Sequence, residues 1–194
     1  MTSDIRICSK TNASLDEIRE RLLNLNFFVQ EEFQLVDIYM IDKKEEISLE
    51  NFENIFSNYL LIREFVGKKS SLMLKRKETN EKGETLRHTS TNCPIVSCND
   101  AYSLLTALGY EKLLTLNVHN IVFSNGKNEI CVQDVENLGV YIKMRQNNQK
   151  INHNNGDTVE EMINILMEYD LPLDNTNFMA KKSYDMLKKI IKEK

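Results

Sequence analysis

The chain has 194 residues, of which 41 % are apolar, and this size and composition suit one compact domain over residues 1–194 with its own core. Charged residues make up 28 % of the chain, which argues against wholesale disorder. The formal net charge of −4 does not favour general nucleic-acid binding, which needs a broad basic surface.

The sequence predicts a cytoplasmic protein with no membrane partner. No apolar run approaches the roughly 20 residues of a membrane span, and the first residues lack the order of a signal peptide. The cysteines form no C-x-x-C pair, and we expect them to be reduced and to serve mainly as small core residues. A zinc site built from Cys93, Cys98 and a histidine is the alternative. A homodimer is left open.

The first half of the chain carries strand and helix signals in alternation. Polar and apolar residues alternate over residues 4–8, which predicts a strand with Ile5 and Ile7 facing a core. Ser14 and Glu17 have the spacing of a capping box, which predicts a helix over 15–25. The segments that follow are predicted as a strand at 33–42, a short helix at 48–57, strands at 59–66 and 70–77 around a turn at Gly67, an exposed loop at 78–84 and a strand at 86–95.

The second half repeats this pattern and sets the predicted fold class. Ser97 begins a helix that ends near Leu108, with Gly109 after it. The later segments are predicted as a strand at 113–123, a hairpin turn at 124–127, strands at 129–135 and 140–145, a mobile asparagine-rich stretch at 146–156, a helix from Asp157 or Thr158 to about 169 and a terminal helix at about 181–194. We therefore predict an α+β fold, an eight-stranded antiparallel β tunnel or barrel with helices packed outside it.

Short motifs along the chain occur in the order seen in one known family. They are Asp37-Ile38-Tyr39, Ile62-Arg63-Glu64, Leu74-Lys75, Arg87, Asp134-Val135-Glu136-Asn137-Leu138-Gly139-Val140-Tyr141-Ile142 and Lys182-Ser183-Tyr184-Asp185-Met186-Leu187. Together with the order of elements, they resemble the CYTH family, which includes class IV adenylate cyclases, thiamine triphosphatases and inorganic triphosphatases. The resemblance implies a tunnel in which glutamates hold a divalent metal while lysines and arginines hold a triphosphate.

The chain departs from the family pattern where metal ligands are expected. The family's Glu-x-Glu-x-Lys on the first strand reads Asp4-Ile5-Arg6-Ile7-Cys8, and Lys10 could supply the missing lysine charge if the register shifts by two. The family's acids after Arg87 are absent, and its Glu-x-Glu on the last strand reads Lys143-Met144-Arg145. We therefore predict no metal site and no cofactor; magnesium or manganese belongs only to the alternative in which the family's activity is kept.

Positive side chains are expected to gather in the interior instead. Residues two apart on a strand share a face, and by that rule the cations that could line the interior are Arg6, Arg63, Lys75, Arg87, Lys143 and Arg145. Enclosed cations repel one another unless a phosphate-bearing ligand neutralises them, or carboxylates such as Asp4, Asp37, Glu64 and Asp134 do so. The other interpretation is that some of these cations face solvent and the rest form ion pairs.

Three kinds of function are considered, of which we predict the first. The first is binding of a nucleotide or other phosphorylated small molecule without metal, as a sensor or with metal-independent chemistry in which Tyr39, His119 or Tyr141 carries a proton. The second is a metal-dependent adenylate cyclase or triphosphatase that acts on ATP, thiamine triphosphate or inorganic triphosphate. The third is a protein-interaction role for the outer helices.

Overall fold

The computed structural model describes residues 6–79, 85–145, 155–156 and 158–193, and the side chains of residues 53, 77–79 and 85–88 lie outside the described part. The described residues form eight strands and five helices. In chain order these are β1 (Arg6–Lys10), α1 (Leu15–Asn24), β2 (Phe28–Asp42), α2 (Phe52–Ile55), β3 (Asn58–Phe65), β4 (Ser70–Thr79), β5 (Thr85–Ile95), α3 (Cys98–Ala107), β6 (Tyr110–Ser124), β7 (Glu129–Val135), β8 (Gly139–Arg145), α4 (Val159–Met167) and α5 (Lys182–Lys192).

The described strands form one sheet in the order β1-β8-β7-β6-β2-β3-β4-β5. The ladders β1–β8, β8–β7, β7–β6, β2–β3, β3–β4 and β4–β5 are all antiparallel. β1 and β5 are the end strands of this order, and no ladder between them is formed by residues within the described ranges. The predicted α+β class, with eight antiparallel strands and accompanying helices, is confirmed.

The chain divides into two compact units, and β2 and β6 run through both. Unit 1 comprises Met1–Phe33 and Val118–Lys182, and unit 2 comprises Gln34–Asn117 and Ser183–Lys194. The organisation of residues 1–194 as a single domain stays a prediction. Of the helices described, none is long and apolar enough to cross a membrane.

In unit 1, α1 and α4 cover one face of the strands. Ile18 and Leu22 of α1 and Met162 and Leu166 of α4 are fully buried. They belong to one core cluster with strand residues that alternate along the chain: Ile7, Ile121, Phe123, Ile130, Val132, Val140, Ile142 and Met144. Because the strand period is two, the intervening residues of β1, β8, β7 and β6 lie on the opposite face.

Both helices of unit 1 begin with the predicted side-chain caps. The Ser14 hydroxyl accepts a hydrogen bond from the Glu17 N–H, and the Glu17 carboxylate accepts one from the Ser14 N–H. Thr158 and Glu161 make the same reciprocal pair at the start of α4. These pairs satisfy N–H groups that have no partner inside the helix.

In unit 2, α3 packs on one face of β2 and β3. Ala101 and Leu105 of α3 share a core cluster with Met40 and Ile62. The predicted hairpin between β3 and β4 is present, and Gly67 at its turn has φ +73°, a conformation that costs glycine little because it has no side chain.

Several element boundaries differ from the sequence expectation. β1 continues to Lys10 because Lys10 pairs with Tyr141 and its carbonyl accepts the Asp174 N–H. β2 begins at Phe28 rather than near residue 33. The helix predicted at 48–57 is one turn long, since the side chain of its first flanking residue, Asn51, donates to the Glu46 carbonyl instead of capping the helix.

Candidate anion-binding site

The uncovered face of unit 1 carries a row of positive charge. Ile7, Ile142 and Met144 point into the helix-covered core, so the positions between them point the other way. Arg6 of β1 lies opposite Arg145 of β8, and Lys143 lies between Cys8 of β1 and Cys131 of β7 in the register. We call the face formed by Arg6, Cys8, Lys10, Cys131, Gln133, Tyr141, Lys143 and Arg145 the basic face.

Lys143 lies on the basic face among other positive charges. Burial, as the largest cause, and the positive charges of Arg145, Arg6 and Lys182 together lower the pKa of its ammonium from 10.5 to about 7. Burial also raises the pKa of the neighbouring Cys131 thiol, against the opposing effect of nearby cations. The amine of Lys143 therefore holds its proton weakly, and the thiol of Cys131 holds its proton firmly.

Within the described part of the chain, few carboxylates share the basic face with these cations. Glu129 of β7 shares the face and acts on Cys131, but among the described residues Arg6, Lys143 and Arg145 form no ion pair with a carboxylate. The repulsion between these cations is therefore left for something outside the described residues to offset.

A polar network continues the basic face across β7 and β6. The Lys182 ammonium donates to Gln133 Oε1 at 2.8 Å, and Gln133 Nε2 donates to Asn120 Oδ1 at 2.6 Å. Lys10 Nζ lies 5.6 Å from the ring centroid of Tyr141, which is fully buried. Gln133 and Asn120 are also buried, so this part of the face is held by specific hydrogen bonds.

Asn155 fixes the strand ends beside Arg145. Its amide nitrogen donates to the carbonyls of Glu129 and Arg145, at 3.0 and 3.1 Å, and its amide oxygen accepts the Glu129 N–H at 2.8 Å. Asn155 is 4 % exposed. At Asn155 the prediction of a mobile stretch over 146–156 is wrong. Its buried side chain supplies hydrogen bonds at the ends of β7 and β8, where Glu129 and Arg145 do not pair with each other. Residues 146–154 lie outside the described residues.

Two of the predicted cations of unit 2 have polar partners within that unit. Arg63 Nε and Nη2 donate to the two carboxylate oxygens of Asp37, each at 2.6 Å. Burial alone would lower the pKa of Arg63, but the hydrogen bonds and charge of Asp37 raise it. Lys75 donates to Ser90 Oγ at 2.8 Å. Arg63 thus has the ion-pair partner that one sequence interpretation expected.

Tyr39 is an aromatic core residue of unit 2. It is 8 % exposed, its ring stacks on Tyr59 with centroids 5.2 Å apart, and Phe56 meets it edge-on at 5.8 Å. Aromatic packing of this kind contributes to its burial. Its predicted role as a proton carrier stays a prediction.

His119 lies away from the basic face. It shares strand parity with Ile121 and Phe123, which point into the helix-covered core, and its Nε2 lies 2.8 Å from Glu32 Oε1. Asn120 is in register with Gln133 and, through it, with Tyr141 on the basic face. His119 is next to Asn120 in the chain and therefore points to the opposite face, so the structure does not bring it together with Tyr141 and Lys143.

Two predicted positions cannot be placed on a face. Arg87 is opposite Glu78 in the β4–β5 register, but its side chain lies outside the described part, as does Asp4 entirely. Among the residues that are described, no group of three or more His, Cys, Asp or Glu side chains could hold a metal. The basic face itself does not fit a divalent cation, since Arg6, Lys143 and Arg145 would repel it.

Sequence reasoning missed Lys182, Gln133, Asn120 and Asn155 as members of this region. Lys182 belongs to a motif that carried the family resemblance, but nothing in its local pattern indicates a contact with β7. Asn120 and Gln133 could have been found as polar residues at register positions between apolar ones on adjacent strands. Asn155 gives no signal, because its partners are backbone groups.

Comparison with known proteins identifies the fold. No family model and no curated protein matches the chain. Among solved structures, the PH1819 protein of Pyrococcus horikoshii is similar with TM-score 0.67 and 19 % identity, covering 96 % of this chain and 99 % of that one. A proposed adenylate cyclase of Vibrio parahaemolyticus is similar with TM-score 0.60 and 13 % identity, covering 96 % and 97 %.

A second proposed adenylate cyclase, from Bacillus halodurans, is similar with TM-score 0.52 and 15 % identity over 94 % of this chain and 97 % of that one. The class of protein is therefore defined by its fold: the chain has the fold of these adenylate cyclase-like proteins. The fold implied by the CYTH resemblance is confirmed, and identities below 20 % extend the likeness to the fold alone.

Proposed function

We propose that the chain binds a nucleotide or another phosphorylated anion on the basic face of unit 1, without a divalent metal. The observation that supports this most is Lys143, a partly buried amine surrounded by Arg6, Arg145 and Lys182. Such a cluster is costly in the absence of an anion, and a phosphate group would neutralise several of the charges at once. Arg6 and Arg145 offer planar donors that suit phosphate oxygens.

Calorimetric titration with ATP and with tripolyphosphate tests this proposal directly. We expect Arg145→Gln and Arg6→Gln each to weaken binding by about 10- to 150-fold, the range for loss of one charge-assisted contact of about 1.5–3 kcal/mol. Lys127→Gln is the matched control, because Lys127 is an exposed cation of the β6–β7 turn and not one of the residues that form the basic face. Affinities equal to wild type in both arginine variants would exclude the basic face as the site.

The effect of magnesium on tripolyphosphate affinity distinguishes metal-free binding from the metal-dependent chemistry of the CYTH family. We expect magnesium to leave the affinity for tripolyphosphate unchanged or to weaken it, because chelated metal removes charge from the anion that the cations attract.

The second candidate function is adenylate cyclase or triphosphatase activity, which the fold shared with proposed adenylate cyclases supports. Incubation of the protein with ATP and manganese, followed by chromatography, tests it. Recovery of intact ATP favours a binding module, while cyclic AMP or released phosphate supports the second candidate.

A further inference from the structure

Lys143 lies at the centre of the basic face with guanidinium groups to one side. Arg6 and Arg145 are opposite each other in the register, and Lys143 is two residues along β8 from Arg145. Two residues along a strand span about 7 Å. The amine of Lys143 and the two guanidinium groups therefore lie on one face. Their spacing along the strand is one that a small molecule with two functional groups can span.

The surroundings of Lys143 favour the neutral amine over the ammonium. Its pKa of about 7 leaves much of it with a free electron pair near neutral pH, whereas a lysine with the ordinary value is about one-thousandth deprotonated there. A neutral amine in partial burial is the form that attacks carbonyl carbon.

The other nucleophilic side chains near Lys143 have different surroundings. Burial raises the pKa of the Cys131 thiol, which disfavours the thiolate. Lys182 donates a hydrogen bond to Gln133, and Lys10 lies over the ring of Tyr141. Each of these two lysines has its own polar or aromatic partner, so both serve as internal comparisons for Lys143.

We infer that Lys143 is a carbonyl-trapping nucleophile, and that the basic face takes a small phosphorylated aldehyde with its phosphate at Arg6 and Arg145 and its carbonyl carbon at Lys143 Nζ. This inference rests on the anion site proposed above and adds the class of ligand.

The covalent step needs no oxidant, reductant or metal. The electron pair of Nζ forms a bond to the carbonyl carbon, and the π electrons of the C=O bond move to oxygen. Nζ gives up its two protons to that oxygen, which leaves as water when the C=N bond forms. Addition of water reverses the step, so the adduct is an imine in equilibrium with free aldehyde.

Pyridoxal 5′-phosphate is a suitable probe, with borohydride reduction to fix the imine and peptide mass spectrometry to locate it. In the full-length wild-type chain at pH 7.5, we expect Lys143 to be labelled at least tenfold faster than Lys10, Lys182 or Lys127. Saturating tripolyphosphate should suppress that labelling. Labelling spread evenly over these four lysines would overturn the inference, and this readout needs no variant to fold.

Variants and a second probe separate the amine from the phosphate site. Arg145→Gln should slow labelling of Lys143 by pyridoxal 5′-phosphate about tenfold, while labelling by pyridoxal, which lacks the phosphate, should not change. If tripolyphosphate binding depends on Arg145 but Lys143 is not labelled, the inference fails and the anion site stands. If both probes label Lys143 equally and Arg145→Gln has no effect, the phosphate site fails, and with it the phosphorylated aldehyde.

Discussion

Replacement of Lys143 by methionine should stabilise the free protein and flatten its pH dependence. Methionine has a similar length, is apolar, and removes a charge that burial and Arg145 disfavour. Because the pKa of Lys143 is lowered in the folded state, the unfolded chain binds one more proton between about pH 7 and the ordinary lysine value of 10.5. The free energy of unfolding should therefore rise with pH across this window and be lowest, for this group, below pH 7.

The size of the expected stabilisation follows from the difference between the folded and unfolded pKa values of Lys143. Each pH unit between about 7 and 10.5 contributes up to about 1.4 kcal/mol, so the upper limit for Lys143 is about 5 kcal/mol. Relaxation and bound buffer anions reduce this, and we expect Lys143→Met to gain about 1–3 kcal/mol at pH 7.

Urea unfolding at pH 6.5 to 9.5, followed by far-ultraviolet circular dichroism, is the assay, because the chain has no tryptophan. The difference in unfolding free energy between Lys143→Met and wild type should shrink steadily as the pH rises. Lys127→Met, at an exposed position, is the control and should keep the wild-type slope. Parallel curves for wild type and Lys143→Met would refute the electrostatic description of the basic face.

Three further predictions concern Asp37, Asn155 and His119. Asp37→Asn should lower the free energy of unfolding by about 2–3 kcal/mol, because the partly buried charge of Arg63 then loses its carboxylate partner. The double variant Asp37→Asn with Arg63→Met should lose less stability than Asp37→Asn, as measured by chemical denaturation. Asn155→Ala should lower the free energy of unfolding by about 1–3 kcal/mol and speed amide hydrogen exchange at the ends of β7 and β8. Unchanged exchange there would contradict the role of the Asn155 hydrogen bonds in holding these strand ends. His119→Gln should leave tripolyphosphate affinity within twofold of wild type by calorimetry, since its side chain faces away from the basic face, and a large loss would contradict that placement.

The order of elements could be predicted from local signals because most of them are set by neighbours in the chain. The Ser14–Glu17 spacing satisfies helix N–H groups within one turn, and the same local logic applies to Thr158 and Gly67. The extent of β1 and β2 could not be predicted, since strand ends depend on partners far away in sequence, such as Tyr141 for Lys10.

Part of the basic face could be predicted from the sequence, because strand alternation gives the face of a residue but not its partners. Alternation correctly places Arg6, Lys143 and Arg145 on one side of their strands, because that side is fixed once Ile7 and Ile142 enter the core. Alternation cannot show which cations already have a partner. Arg63 looks equivalent to Lys143 in the sequence, but it is paired with Asp37, whereas Lys143 is surrounded by like charge.

A chain with a net charge of −4 can still present an anion site, because net charge and local charge act over different distances. At physiological ionic strength the screening length is about 8 Å, so acidic residues elsewhere are largely screened from the basic face. Arg145 and Lys143 lie about 7 Å apart along β8, within that length, and their fields therefore add at a ligand that touches both. The expectation against nucleic-acid binding, which follows from the net charge, concerns extended surfaces, whereas the ligand proposed for the basic face is a small, multiply charged phosphate.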